Sequence, residues 1–262
     1  MGMDAVPPGP GDKLLHDDLF VSVLEATMNV EPHVHREHVD SFYVLEGTFT
    51  FDRSGEEVPL APGDYGLAPA LLVHGFRPGE AHVLNIHAPG RFWSLTRTAR
   101  REGRKLDPAE YDSHDPPADG GLPRSAAIVR RAGEGETFSG PNHTVRVKAA
   151  LPELCVFESD LGPGWAGPSV HLHRAHIDAF YVLDGVVELE LDGASHALER
   201  GGFVAVEPGV PHTFHNRGDR PARILNLHAP GMRFDEYIRG LHTGEGGREF
   251  AERYDVYEAE SD

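Results

Sequence analysis

Residues 33–47 read HVHREHVDSFYVLEG, and residues 171–185 read HLHRAHIDAFYVLDG. Two histidines, an aspartate and a glycine keep their places in both copies, while Val34 becomes Leu172, Glu37 becomes Ala175 and Ser41 becomes Ala179. One offset fits every pair: 171−33, 173−35, 178−40 and 185−47 all equal 138. The same offset carries Gly63 to Gly201 and His74 to His212, so the repeat covers the body of a domain rather than a short word. Farther on, VLNIHAPG (83–90) answers ILNLHAPG (224–231) at an offset of 224−83 = 141. That slip places a three-residue insertion around NRGDRPA, where a surface loop would tolerate it. Even the trailing segments correspond, AEYDSHDPP (109–117) resembling AERYDVYEA (251–259).

A chain of 262 residues is long enough for two domains of about 130 residues each. The repeat assigns them to 12–116 and 121–262, with the break near Pro116 to Gly121. Short β-rich runs such as FYVLEGTFTF, AFYVLDGVVELEL and RILNLH are separated by Gly and Pro signals about every 8–12 residues, a pattern that predicts an all-β sandwich or barrel in each half. Helical spacing arises only after each of these regions. Phe234, Tyr237, Ile238 and Leu241 follow i, i+3, i+4, i+7, and Asp107-Pro108 reads as an N-cap followed by proline at the first helical position. These helices are expected to cover the barrels.

A net charge of −18 would repel phosphate backbones, which excludes nucleic acid as a partner. The basic run from Arg97 to Lys105 is read as the solvated face of a helix. Hydrophobic content of 39% and charged content of 25% are those of a soluble protein, and no run approaches the roughly 18 apolar residues of a membrane helix. The acidic, proline-rich opening MGMDAVPPGPGDKLLHDD reads as a flexible start rather than a signal peptide, and a cytoplasmic location is expected. Cys155 is the only cysteine, so an intramolecular disulfide and a thiolate metal cluster are both excluded. A metal would have to sit on His and carboxylate groups.

Alternate residues of an extended strand share a face, so His33 and His35 project together, as do His171 and His173. Asp40 follows after enough chain for a turn to bring a carboxylate back from the next strand, and His74 can supply a third imidazole from a later one. Three neutral nitrogens and one carboxylate suit a divalent transition metal such as Fe, Ni, Cu, Mn or Zn.

The pattern of His-x-His, four residues, an acidic residue, six residues and Gly, followed by downstream Gly, Pro and His, resembles the two motifs of the cupins. Its doubling resembles a bicupin. The resemblance spans roughly residues 20–90 and 155–231 and implies two double-stranded β-helix (jelly-roll) barrels with a ligand set in each mouth. By motif match the ligands would be His33, His35, Asp40 and His74, then His171, His173, Asp178 and His212. Both sets carry Asp where the family usually has Glu. Likeness to quercetinase-like bicupins implies a metal-dependent dioxygenase acting on a small organic substrate, flavonol-like or enediol-like, with Asp40 and Asp178 doubling as catalytic bases. Oxalate-decarboxylating bicupins carry an Arg close upstream of the His pair, and NVEPHVH and GPSVHLH have none. A non-catalytic binding or storage module is the alternative from another class, and a homodimer stays open.

The second half lies nearer the family pattern, with Gly209, His212 and Asn216 in place although Glu207 replaces the usual Pro. In the first half Gly63 and Pro69 match, but Leu71 stands where Gly is expected and Pro78 where Asn is expected. The first ligand loop is therefore expected to be held differently, and the second set to hold its ion more tightly. His38 and His176 extend each motif to His-x-His-x-x-His, which invites a fifth-ligand reading, but the bend before Asp40 favours reading them as solvent-facing loop histidines. Asn85, His87, Asn226 and His228 share one polar strand face, pointing either to substrate and ligands or to solvent. Phe42, Val44, Phe180 and Val182 have the parity of the ligand Asp and should line the apolar interior. Trp165, in GPGWAGP, is either a pocket lid or a hydrophobic anchor.

Overall fold

Along Val39–Gly47 the first six residues are buried one after another, as are those of Ile177–Asp184, so these strands are covered on both faces. A computed structural model, describing residues 9–259, places each between two neighbours in a six-stranded antiparallel sheet. In the first half the spatial order is Gly11–Leu15, Phe20–Glu25, Ala81–Ala88, Val39–Gly47, Tyr65–Ala68 and Ile128–Arg130. In the second half it is Glu136–Gly140, His143–Ala150, Cys155–Leu161, Ala222–Ala229, Ile177–Asp184 and Phe203–Val206. A smaller sheet completes each barrel: Val30–His33, His74–Arg77, Phe49–Arg53 and Glu56–Leu60 first, then Ala194–Glu199, Val186–Leu191, His212–His215, His171–Leu172 and Tyr257–Glu258. Five strands recur in the same order in both large sheets.

Each core lies between its two sheets. Phe42, Val44 and Val83 of one sheet meet Phe49, Phe51 and Leu60 of the other, and Phe180, Val182 and Ile224 meet Leu189, Leu191 and Leu198. The four residues whose parity predicted an interior position are all buried there. The three inserted residues fall in the loop 216–221, which answers 78–80.

The first unit runs to Glu134, past the break expected at Pro116–Gly121, and the second begins at Gly135. The reason is Ile128–Arg130, a strand without a counterpart in the repeat, which pairs with Tyr65–Leu67 and ties the connecting segment to the first sheet. The expectation of a flexible start also changes. Residues 1–8 lie outside the described residues, but Gly11–Leu15 pairs with Phe20–Val23 as an edge strand.

The glycine that closes each motif is required by the backbone. Gly47 and Gly185 have φ of 76° and 77°, and a Cβ there would stand 1.8 Å from the Glu80 carbonyl oxygen and 2.6 Å from that of Pro221. Only Gly combines positive φ with so close an approach. The loop holding the third imidazole does not differ as its sequence led one to expect. Leu71 adopts φ 70° where Gly209 has 87°, and both amides donate to the carbonyl of the first buried His, His35 or His173, at 2.6 Å. The first half keeps the turn by forcing an exposed Leu into the left-handed region, at a cost of roughly 1–2 kcal/mol. Asn216 does add a restraint that Pro78 cannot: its amide donates to the carbonyls of Leu161 and Arg220.

Helices follow each barrel, α1 at Arg91–Arg101, α2 at Phe234–Thr243 and α3 at Arg248–Glu252. Phe92 and Phe234 turn inward, while Arg100 to Lys105 are exposed, in keeping with the basic run as a solvated face. Asp107 caps a short 3₁₀ turn, Pro108–Tyr111, in a capping box with Glu110. Among the described residues no helix is long and apolar enough to cross a membrane.

Candidate metal centre and cavity

The antiparallel register that pairs His171 with His212, and His33 with His74, sets the third imidazole of each group beside the first. In the second unit His171, His173, Asp178 and His212 each offer one donor atom, all four within 4.8 Å of one another. Asp178 Oδ2 lies 3.1 Å from His212 Nε2 and 3.6 Å from His173 Nε2. Donors bonded at about 2.0–2.1 Å around a tetrahedral ion stand roughly 3.3 Å apart, so these separations fit one divalent ion. In the first unit His33, His35 and His74 form such a group without Asp40, and His35, His38 and His87 form another. His33 Nε2 lies 3.3 Å from His35 Nε2, while Asp40 Oδ2 is 3.5 Å from His74 Nε2 and 3.9 Å from His35 Nε2. All eight residues singled out in the sequence thus come together, four and four, with Asp40 set back from its histidines.

The protonation states suit ligation. Burial, with His212 and His173 nearby, lowers His171 to about 3, and burial holds His33 and His35 below the usual imidazole range. These rings are neutral at neutral pH. Burial alone would raise the two carboxyls, but the surrounding imidazoles, His87 first for Asp40 and His228 first for Asp178, outweigh it and keep both below their ordinary range. The carboxylates stay ionised. His74 Nε2 and His173 Nε2 are buried without a hydrogen-bond partner, an orphaned polarity that a bound cation would resolve.

Asn85, His87, Asn226 and His228 face inward. Asn85 Nδ2 donates to Asp40 Oδ1 at 2.6 Å and Asn226 Nδ2 to Asp178 Oδ1, while His87 Nε2 and His228 Nε2 donate to the Asn oxygens at 2.9 Å. Because the Asn amide faces a carboxylate, its oxygen faces the His, which fixes a proton on that ring nitrogen.

His38 and His176 are not solvent-facing; they are 1% and 0% exposed. Each gives Nδ1 to an aspartate about eighty positions away, Asp112 or Asp255, at 2.8 Å. Sequence reasoning noticed the repeated AEYD and AERYD tails that carry these aspartates but assigned them no role.

In the second unit a cavity of about 470 Å³ opens onto His171 and Asp178. Phe157, Trp165, Phe214, Phe234, Tyr237 and Phe250 are the aromatic part of its wall. Phe234 stacks on His228 at 3.7 Å, so α2 serves as wall as well as cover. Trp165 is therefore a wall residue; its ring lies 5.2 Å from Phe214 and its backbone bridges to Asn216. Two matching positions of the first unit are polar, while Trp93 lies 5.0 Å from His87 where Phe234 stacks on His228. Ser22 stands opposite Asn85 as Phe157 stands opposite Asn226, Asp12 is opposite Ser22 as Val147 is opposite Phe157, and Asp12 pairs with Arg97 of α1.

The family described as Cupin domain matches residues 20–87 and 157–228, more than half of the chain. The chain belongs to the cupin family. With two such domains it is a bicupin. Over 109 residues this bicupin is 30% identical to a quercetin 2,3-dioxygenase of Bacillus subtilis, covering 34% of the chain and 32% of the relative. Over 75 residues it is 32% identical to a quercetin 2,3-dioxygenase of Aspergillus japonicus, covering 26% of the chain and 21% of the relative. The matched stretches thus span a third or less of these relatives' length. Among solved structures, a salicylate 1,2-dioxygenase mutant from Pseudoaminobacter salicylatoxidans superposes with a TM-score of 0.59 at 13% identity, over 85% of this chain and 73% of that one. An oxalate decarboxylase from Bacillus subtilis superposes at 0.53 and 15% identity, over 93% and 81%. At these identities the bicupin shares the fold of both.

Proposed function

We propose that this bicupin is a metal-dependent dioxygenase whose reaction takes place in the second unit, on a planar aromatic substrate bearing adjacent hydroxyl and carbonyl oxygens, as in flavonols. The observation that carries this reading is the aromatic-walled cavity opening onto His171 and Asp178. The partial likeness to two quercetin 2,3-dioxygenases supports it. His171, His173, Asp178 and His212 would hold the ion, which when bound supplies an open coordination position for the substrate oxygens and activates them toward dioxygen. His33, His35, Asp40 and His74 would hold a second.

The chain's own residues do the rest. Phe157, Phe234 and Tyr237 hold the rings of the substrate and exclude water from the reacting face. Asp178 is ionised at neutral pH and accepts the substrate's hydroxyl proton, while the amide of Asn226 keeps Oδ1 oriented. Asp40 would be the corresponding base in the first unit, where Ser22 and the Asp12–Arg97 ion pair make the neighbouring positions less apolar. A small diacid is ill suited to the apolar cavity of the second.

Oxygen-electrode assays on protein loaded in turn with Fe²⁺, Mn²⁺, Co²⁺, Ni²⁺ and Cu²⁺ should reveal flavonol-dependent oxygen uptake with at least one of them. Tight flavonol binding without turnover in every metal form would instead establish a binding module.

A further inference from the structure

Asp112 and Asp255 stand at an offset of 143 and share four contacts, Asp112 accepting in addition from His114 Nε2 at 3.0 Å. The Asp255 carbonyl accepts from His173 Nδ1 at 2.8 Å, and its carboxylate accepts from the amides of Arg174 and Ala175 at 3.1 and 2.8 Å and from His176 Nδ1 at 2.8 Å. The Asp112 carbonyl accepts from His35 Nδ1 at 2.7 Å, and its carboxylate accepts from Arg36, Glu37 and His38 at 3.1, 2.8 and 2.8 Å. Both aspartates are in the left-handed region, at φ 59° and 62°, and both are buried. That conformation lets one residue aim its carbonyl at a ring and its carboxylate at the following loop, and Asp is among the few side chains that accept it at modest cost. His38 and His176, held by these carboxylates, lie against His35 and His173 with ring centroids 3.9 and 4.0 Å apart. The backbone beside Asp255 also belongs to the cavity, since Val256 and Glu258 line it.

We infer that Asp112 and Asp255 are positioning residues: each trailing segment reaches back to its own barrel and locks the loop that carries the second His of the ligand pair, so that retention of an ion depends on an aspartate that does not touch it. The inference rests on the proposed metal sites. Ring orientation is the physical link. A carbonyl on Nδ1 fixes the tautomer that presents Nε2 to the ion, and the carboxylate immobilises the three residues that follow the ring.

The test uses full-length protein carrying His74→Ala, so that the second set alone reports, loaded with Co²⁺. Asp255→Asn keeps a side chain that tolerates the left-handed backbone but replaces one acceptor oxygen with a donor. It should release Co²⁺ to a chelator about 10–100-fold faster than the parent and shift the visible Co²⁺ bands. Asp112→Asn in the same background removes equivalent bonds from the other unit and should change neither, which a general loss of stability would not reproduce. The mirror experiment, Asp112→Asn with His212→Ala, supplies the same readout should the Asp255 variants fail to fold. Parent release rates and parent bands in folded Asp255→Asn and Asp255→Ala would overturn the inference while leaving the metal sites standing. A parent that takes up no Co²⁺ would overturn the metal sites and the inference together.

Discussion

Replacing His212 by Ala is expected to abolish flavonol-dependent oxygen uptake, a loss of at least about 100-fold, whereas His74→Ala should leave turnover within a few-fold of the parent. Even an outer partner of a metal ligand is worth about 10–100-fold in affinity or activity, and His212 is one of the four donors themselves. The contrast between the two variants follows from the walls. The second set opens onto Phe157, Phe234 and Tyr237, while the first has Ser22 and the Asp12–Arg97 ion pair in the matching region. Rates measured at saturating substrate on each variant, after loading with the most active metal, check this directly. Equal losses in both variants would mean that the two sets act together or that the first unit is the reacting one.

The metal-free protein should lose stability as the pH falls through 6. His87 is lowered to about 3 by burial, and His171 to about 3 by burial together with His212 and His173; His33, His35, His176 and His228 are lowered as well. In the unfolded chain an imidazole titrates near 6.5. Between the two values the unfolded chain binds more protons, so this part of the stability is complete above about 6.5 and drains away on acidification. His87 and His171 together account for about 3 kcal/mol between pH 7.5 and 5.5, which for a chain of this size lowers the melting temperature by roughly 10 °C. The depressed carboxyls add nothing in this window, because their stabilisation is lost only below about pH 4. Thermal unfolding in the presence of a chelator at the two pH values measures it. An unchanged midpoint would mean that these rings are already charged or solvated in the folded protein.

Much of the site was legible because strand pairing preserves what the repeat preserves. His33 with His35 and His171 with His173 are side by side by strand parity, and Asp178 and His212 reach them through neighbouring strands whose register the core residues fix. Leu71 shows where sequence chemistry misleads. The turn it occupies is demanded by a hydrogen bond to the His35 carbonyl, and that tertiary requirement prevails over the residue's own aversion to positive φ. His38 and His176 were misread because their partners, Asp112 and Asp255, are about eighty positions away; a loop position says nothing of a carboxylate that folds back onto it. The domain break was misplaced for a similar reason, since Ile128–Arg130 gains its strand only from the edge offered by Tyr65–Leu67.

In the proposed function each half of the chain holds one divalent transition-metal ion through three imidazoles and an aspartate. The most direct test is the metal content of protein purified with no metal added, then offered each of Fe²⁺, Mn²⁺, Co²⁺, Ni²⁺, Cu²⁺ and Zn²⁺ and dialysed, determined by elemental analysis. Two ions per chain with at least one of these metals, falling to one in His212→Ala, is the predicted result. A parent that retains no ion of any kind, or a His212→Ala variant that still holds two, would contradict it.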